Sequence, residues 1–215
     1  MSADPAVAYD PVRMRWILLL SICCSAAIAE DAPLFFREDW TETPPSLPAT
    51  DADLTNAELT LTRHGPGGSL IKKSFHDFKP KDPHYIWSGL CRGNWALSLR
   101  RKDSDVDLTA GKVRWRAKQS GFRMLRVVVK TAAGKWLVSD AADGASDDWR
   151  VRELDLDEVG WRELNIEKVV EGRVVEGPDL SRVEAVGFTD LMSGGRSIAC
   201  SRLDWIEVYG PAVPR

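Results

Sequence analysis

Alternation of apolar and polar residues with a period of two is the feature that most constrains the fold of this chain. In the clearest run, Val113, Trp115 and Ala117 alternate with basic residues. The same alternation recurs at 59–62, 95–100 and 125–130. A strand with this pattern turns one face to the core and the other to solvent. The pattern therefore predicts antiparallel strands that are each buried on one side.

Turn signals between further apolar runs extend this prediction to most of the chain. We expect additional strands at 149–156, 161–166, 184–190 and 203–209. Turns are predicted at 131–134, at Asp143-Gly144, at Gly172, at Gly177-Pro178 and at Gly194-Gly195. Helical periodicity is nearly absent, with a single turn expected at 180–183. Many short strands with regular turns predict an all-β fold, an antiparallel β-sandwich.

The N-terminal segment has the pattern of an export signal. Arg13 and Arg15 precede a short apolar run, and Ala27-Ile28-Ala29 is a small-residue cleavage pattern. The alternative is an internal apolar helix of a soluble protein. We expect a signal peptide at 1–29, with Met14 as an alternative start, and one β-sandwich domain at 30–215. The predicted protein is secreted or periplasmic. We expect no membrane span after signal cleavage, because the apolar run of the signal is itself too short to cross a bilayer and no other stretch of the sequence comes near that length.

Charge and cysteine content restrict the partners and the redox state. With a net charge of −3, the chain has no excess of the basic residues that bind nucleic acid, so we expect no nucleic acid partner. Two of the four cysteines belong to the predicted signal peptide, which leaves Cys91 and Cys200. In an oxidising compartment this pair predicts a disulfide, with two buried free thiols as the alternative.

The segment 201–210, SRLDWIEVYG, resembles the closing strand of galactose-binding-like jelly rolls. Many carbohydrate-binding modules share that fold. The opening strand at 35–40 fits the same layout, and the resemblance extends over nearly all of 34–210. It implies a jelly-roll domain, non-catalytic, that binds carbohydrate or another cell-surface polymer. A structural or adhesion module that binds protein is an alternative, because one fold serves many functions.

Aromatic residues near predicted loops are the candidate sugar platforms. An exposed indole ring can stack on the apolar face of a sugar while polar neighbours bind its hydroxyls. Tyr85, Trp87, Trp136 and Trp161 lie at strand ends or beside turns. Packing in the core or at its rim is the alternative for each of them.

Arginines on the polar phase of several strands indicate a second kind of ligand. Arg114 and Arg116 are the central candidates. The full set is Arg100, Arg114, Arg116, Arg126, Arg150 and Arg152. If their strands share a sheet, the guanidinium groups form one face suited to carboxylates or sulfates of an acidic polysaccharide. The alternative is a solvated face on which Glu153 and Asp155 pair with the arginines.

The segment 153–158, ELDLDE, is similar to the catalytic signature of laminarinase-like glycoside hydrolases. That resemblance implies Glu153 as nucleophile, Glu158 as acid/base and Asp155 as their support, in a retaining mechanism. The chain after Glu158 is short for such an enzyme, and the accompanying Trp- and His-containing segments are absent from the sequence. A solvated strand end is therefore favoured, with the glycoside hydrolase as the alternative function.

Acidic and histidine clusters give weak metal candidates. Asp103, Asp105 and Asp107 resemble the first half of a calcium loop, although the glycine and final glutamate are missing. A second acidic loop contains Asp140, Asp143, Asp147 and Asp148. We expect no cofactor, because acidic turns without metal are common, and a structural calcium at one of these loops is the alternative. For His64, His76 and His84 the spacing favours surface roles over a metal site.

Overall fold

A computed structural model of the protein describes residues 32–75, 82–90, 92–191 and 198–215. Ala32–Arg215 forms one compact unit. The predicted signal peptide, His76, Cys91 and the predicted Gly194-Gly195 turn lie outside the described residues. In the part of the chain that is described, no helix is long and apolar enough to cross a membrane.

The first sheet has six antiparallel strands. Their spatial order is β10 (Arg150–Asp155), β7 (Lys112–Gln119), β14 (Ser201–Tyr209), β4 (Tyr85–Trp87) and β3 (Lys72–Ser74), with β1 (Leu34–Glu38) paired to β14. β7 and β14 are the longest of these strands and lie side by side at the centre.

The second sheet has nine strands, also antiparallel. Their order is β12 (Val170–Val175), β11 (Trp161–Asn165), β9 (Trp136–Ser139), β8 (Arg126–Thr131), β13 (Val183–Asp190), β5 (Trp95–Arg101) and β2 (Leu59–His64). β6 (Ser104–Val106) joins the sheet through β13 and pairs with β15 (Ala212–Pro214). Short 3-10 helices at Asp51–Asp53 and Gly68–Leu70 complete the described elements.

The main core lies between the two sheets. Val113, Trp115 and Ala117 of β7 are buried in it, as the alternating pattern predicts. Trp115 meets Phe188 of β13 edge-on, with ring centroids 5.4 Å apart. Apolar side chains from strands of both sheets thus form one continuous cluster, and the prediction of an antiparallel β-sandwich is confirmed.

Three local predictions differ from the structure. Gly172 lies within β12, beside a register shift in its pairing with β11, and is not in a turn. Residues 180–182 form no helical turn, and Val183 begins β13. The segment 103–107, which the sequence suggests is an acidic loop, contains β6, because Asp105 lies in a strand that pairs with β15. Short strands at sheet margins carry too few residues for alternation to show.

A buried lysine anchors the loop between β1 and β2 to the first sheet. Lys73 of β3 is fully buried, and its Nζ donates to the carbonyl oxygens of Thr43 at 2.7 Å and Thr41 at 3.1 Å. The carboxylate of Asp53 lies 3.6 Å away and supplies a compensating charge. These contacts fix the loop that borders the site described next.

Candidate functional site

The two faces of the first sheet differ because β7 alternates without interruption. Its apolar residues point to the core, so Arg114 and Arg116 point away from it. We call the side of the first sheet that faces away from the core the outer face. Its side chains come from every strand of the sheet.

A β-bulge in β14 turns Trp205 to the outer face. The pairing of β14 with β7 shifts register between Leu203 and Trp205. Leu203, Ile206 and Val208 are buried in the core, whereas Trp205 is partly exposed. A bulge adds one residue to a strand and re-aims the side chains that follow. The indole ring consequently lies near the middle of the outer face.

Four charged residues cross the outer face beside this ring. We call Glu153, Arg114, Glu207 and Arg37 the charge ladder, because they occupy successive register positions on β10, β7, β14 and β1. Arg114 Nε lies 3.0 Å from Glu153, and Arg114 Nη1 donates to Glu207 at 3.2 Å. Arg37 also pairs with Glu207. Alternating charges on opposed strands stabilise this arrangement and hold each side chain in place.

The ladder arginines flank Trp205. The Cζ atom of Arg37 lies 4.6 Å from the centroid of the indole, and that of Arg114 lies 6.0 Å from it. Guanidinium groups at these distances are attracted by the electrons of the ring. Trp205 is therefore a partly exposed aromatic ring with the guanidinium groups of Arg37 and Arg114 over it.

Asp204 provides an acceptor next to the platform. Its side chain is nearly buried and accepts a hydrogen bond from Arg116 Nη1 at 2.6 Å. Burial raises the pKa of Asp204, and the Arg116 guanidinium opposes that rise. Arg116 also lies 5.5 Å from the ring of Trp149. This pair connects Trp205 with a second aromatic group.

The second aromatic group lies toward β4. The rings of Trp149 and Tyr85 are 5.5 Å apart, and Tyr85 is almost completely buried. Trp87 is partly exposed, with Lys72 Nζ 4.3 Å from its ring centroid. The outer face thus carries partly exposed indole rings near the start of β14, from Trp87, and at its middle, from Trp205.

A groove borders the outer face near β1. Its volume is about 690 Å³. The lining residues are Asp39, Trp40, Thr41, Glu42, Leu54, Thr55, Asp82, Pro83, His84 and Asp204. Asp204, which precedes Trp205 in the chain, lines the groove and also pairs with Arg116 on the outer face.

The four candidate platforms have different positions. Trp87 lies on the outer face, as do the candidate arginines Arg114 and Arg116. Tyr85 and Trp161 are each only 2% exposed, so the expectation that their rings reach solvent is wrong. Trp149 packs against Tyr85, and Trp161 is part of the main core. Trp136 is partly buried on the second sheet.

The six arginines do not share one sheet. Arg100 and Arg126 lie on β5 and β8 of the second sheet, where they approach Glu184 at 3.8 Å and Glu171 at 2.9 Å. The condition for a single field of guanidinium groups, that the strands share one sheet, is therefore not met. Strands that follow one another in the sequence belong to different sheets, and their arginines therefore lie on different sheets.

Two of the arginines on the first sheet face inward. In register, Arg150 lies opposite Ala117 and Arg152 opposite Trp115, whose side chains are in the core. Both arginines reach Asp143, to which Arg150 Nε donates at 3.0 Å. Asp143 is buried and also accepts from Trp115 Nε1 at 3.0 Å. Because β10 is an edge strand, the Arg150 and Arg152 side chains stay 37% and 52% exposed, and only Asp143 and Trp115 of this network are buried.

The residues of the hydrolase-like segment lie in different surroundings. Glu153 belongs to the charge ladder, and Asp155 is opposite Lys112 on the same face. Glu158 is exposed in the connection after β10. Glu153 is thus engaged by Arg114 at 3.0 Å and Lys112 at 3.7 Å.

Arginines pair with two of the three carboxylates in the alternative calcium site, Asp103 and Asp105. Asp105 accepts from Arg215 at 2.7 Å and from Arg182 at 2.8 Å. Burial acts to raise the pKa of Asp105, but these two hydrogen bonds outweigh it, and the pKa is lowered. Asp103 pairs with Arg101, and Asp107 accepts from a backbone amide. In the described ranges no group of three or more His, Cys, Asp or Glu could hold a metal ion.

The remaining candidates are histidine and cysteine side chains. His64 Nε2 lies 2.9 Å from Ser98 Oγ on the second sheet, and the ring of His84 lies 4.7 Å from that of Phe75. Cys200 is buried and not bonded to another described cysteine. Because Cys91 lies outside the described residues, the disulfide stays a prediction.

Sequence reasoning missed Trp205 and Trp149. A signal for Trp205 was present, because Leu203 and Ile206 are three residues apart and cannot share a face of a regular strand. That spacing indicates a bulge and places Trp205, Glu207 and Tyr209 opposite the apolar residues. The position of Trp149 depends on contacts with Arg116 and Tyr85, which are distant in sequence.

Comparisons with known proteins find structural likeness only. No family model matches the chain, and no curated protein matches it. A family 11 carbohydrate-binding module from a cellulosomal cellulase of Clostridium thermocellum has a TM-score of 0.42 and 11% identity. That match covers 80% of this chain and 97% of the module.

Two further solved structures are similar to the chain. A variant of a family 29 carbohydrate-binding module has a TM-score of 0.47 and 15% identity, covering 78% of this chain and 92% of that one. The glycoside hydrolase domain of Endo-D from Streptococcus pneumoniae has a TM-score of 0.41 and 13% identity. Here 70% of this chain but 21% of the other is covered. Because these TM-scores are low, the site has to be judged on its own side chains.

Proposed function

We propose that this protein binds a glycan chain on the outer face of the first sheet. The observation that carries the proposal is the position of Trp205. Its ring is partly exposed on an outward sheet face, with the guanidinium groups of Arg37 and Arg114 over it and Asp204 next to it in the chain. The apolar face of a sugar stacks on such a ring, and its hydroxyls bind charged groups at the edge.

The charge ladder supports this function by holding its donors in place. Glu207 fixes Arg37 and Arg114 before any ligand arrives, so little conformational entropy is lost on binding. Each of these arginines is also paired with a second carboxylate, Asp39 for Arg37 and Glu153 for Arg114. Paired guanidinium groups retain N–H donors for hydroxyls but carry little free charge.

We also propose that the protein acts outside the cytoplasm. The support is the signal pattern at 13–29, with its basic start, apolar run and small-residue end. Extracellular polysaccharides are available to a protein in that location. The predicted secreted or periplasmic compartment and the proposed ligand are therefore consistent.

Substitution of Trp205 tests the glycan proposal. We expect Trp205→Ala to weaken binding about thirtyfold, since truncation of a central aromatic contact costs about 2 kcal/mol or more. Affinity electrophoresis through gels containing neutral, carboxylated or sulfated polysaccharides measures the change. The melting temperature should stay close to that of the wild type, because the ring lies on the surface.

Trp136→Ala is the matched control, because Trp136 is a partly buried indole on the second sheet. We expect this variant to bind as the wild type does. Equal affinity of both variants and the wild type would contradict the proposal, as would a loss confined to Trp136→Ala. Absence of wild-type binding to every polymer would contradict it as well.

A further inference from the structure

A row of unbalanced positive charge crosses the outer face next to the proposed glycan platform. We call Lys118, Arg202, Trp87 and Lys72 the cationic row. They are successive register partners on β7, β14, β4 and β3. At about 4.8 Å between neighbouring strands, the row is about 14 Å long.

The cationic row lacks the carboxylates that balance the charge ladder. Among the described residues, no carboxylate lies within ion-pair distance of Arg202 or Lys72. Lys118 approaches one, Asp148, at 3.6 Å, and the side chain of Asp148 is 84% exposed. Such an exposed pair contributes little. The row therefore keeps positive charge on a protein whose net charge is −3.

Adjacent like charges on neighbouring strands are unfavourable unless an anion lies between them. Lys118 and Arg202 are direct register partners, so their charges repel in the unbound protein. Lys72 is partly compensated by the ring of Trp87, 4.3 Å from its Nζ. Arg202 is partly buried, which strengthens its interaction with any charge that contacts it.

The guanidinium and ammonium groups of the cationic row favour a carboxylate or a sulfate as ligand. An arginine donates two parallel hydrogen bonds to such an oxyanion, and a neighbouring lysine adds a third charged donor. Arg202 and Trp205 lie opposite Lys118 and Arg116 of β7, which are two residues or about 7 Å apart along that strand. Linked sugar rings can span that distance, so one chain can contact both residues.

We propose that the cationic row binds the negative group of an acidic glycan, with Arg202 as its central contact. This inference rests on the proposed function and specifies its ligand as a carboxylated or sulfated polysaccharide. The sugar ring lies on Trp205, and the carboxylate or sulfate lies between Arg202 and Lys118. The donors to the negative group are not Arg114 and Arg116, the arginines that the sequence pattern indicated, because carboxylates already pair with those two.

Affinity electrophoresis with Arg202→Gln tests the proposal. The probes are polygalacturonate for carboxylate, dextran sulfate for sulfate and mixed-linkage β-glucan as a neutral polymer. The matched control is Arg173→Gln on the second sheet, which removes the same charge from a side chain that is 83% exposed. We expect Arg202→Gln to lose at least tenfold in affinity for one of the acidic polymers and Arg173→Gln to lose less than twofold.

The same panel separates this inference from the proposed function. If the wild type binds the neutral polymer as tightly as the acidic ones, and only Trp205→Ala weakens binding, the proposed function holds and the acidic-glycan inference is overturned. Equal losses in Arg202→Gln and Arg173→Gln indicate unspecific attraction and also overturn it. If no polymer binds, both proposals fail. Comparison of the two acidic gels identifies the oxyanion.

Discussion

At the scale of single residues, burial decides the chemistry of His64. The ring packs edge-on against Trp136, with centroids 4.9 Å apart, and its Nε2 meets Ser98 Oγ. Burial, assisted by the charge of Lys130, lowers the pKa of His64 to about 4. The histidine is thus neutral in the folded protein at physiological pH, as expected for a packing residue.

This shift predicts a specific pH dependence of stability. In the unfolded chain His64 binds a proton near pH 6.5, whereas the folded protein does not bind it until about pH 4. The unfolded state therefore gains more protons as the pH falls from 6.5 to 4, and the free energy of unfolding decreases over that interval. Urea unfolding at several pH values, together with NMR titration of the ring, measures this.

His64→Gln is the variant that isolates the effect. We expect it to reduce the decrease between pH 6.5 and 4, since glutamine does not titrate. An NMR titration in which His64 takes up its proton near pH 6.5 in the folded protein would show that the ring is not shielded as described.

At the scale of elements, the pairing register of a strand, more than its composition, determines which face of the sheet each side chain occupies. β7 follows its alternating pattern throughout, so the outward positions of Arg114 and Arg116 were predictable. β10 lacks a clear alternation, because Val151 and Leu154 fall on opposite faces, and its pairing with β7 places Arg150 and Arg152 on the core side of the sheet. β14 changes phase at its bulge and exposes Trp205. Pairing partners lie far apart in sequence, and a shift of one residue exchanges the two faces.

Gly187 lies where the backbone of a neighbouring strand leaves no room for a side chain. It lies in β13 between β5 and β8. A Cβ atom there would overlap the carbonyl oxygen of Leu97 and lie 2.6 Å from Ser98 Cα. Both are backbone atoms, so β5 would have to move away.

We expect Gly187→Ala to lower the free energy of unfolding by about 1–3 kcal/mol, the usual cost of overpacking a core. Urea denaturation measures the change. Gly144→Ala is the control, because a Cβ at Gly144 meets nothing within 4 Å, and it should change stability by less than about 0.5 kcal/mol. Equal stability of the two variants would show that β5 and β13 are not packed this closely.

At the scale of the whole molecule, net charge conceals the local pattern. The chain is mildly acidic, yet the outer face has both a balanced charge ladder and an unbalanced cationic row. The two rows differ because Glu207 and Glu153 alternate with arginines in one of them and no described carboxylate does so in the other. Affinity for an acidic glycan should depend on this arrangement and not on the total charge.

The division of the chain into a signal and a domain also gives a prediction. In a secreting host we expect the mature protein to begin at Glu30, because signal peptidase requires small residues at Ala27 and Ala29. Intact-mass measurement of the exported protein identifies the first residue. Ala29→Leu should block cleavage, whereas Ala26→Leu, outside the two required positions, should be processed. Normal processing of Ala29→Leu would place the cleavage site elsewhere.

The sequence alone determined the fold class and most strands. Alternation at β2, β5, β7 and β8 is local information, because each apolar residue shows which face its own strand buries. Short strands such as β4 and β6 escaped prediction, since three residues contain too little pattern. The resemblance of 201–210 to jelly-roll closing strands placed β14 correctly within the fold.

Only the tertiary structure decided which residues meet at the proposed site. Tyr85 and Trp161 looked as accessible in sequence as Trp87, but Trp149 packs on the first and the main core encloses the second. Arg202 was not a candidate from the sequence, because it lies in a run of hydrophobic and acidic residues. Its importance arises from Lys118 on one neighbouring strand and from Trp87 and Lys72 on the next two. Charge and aromatic surface act over a few ångströms in space, and long-range strand pairing sets those distances.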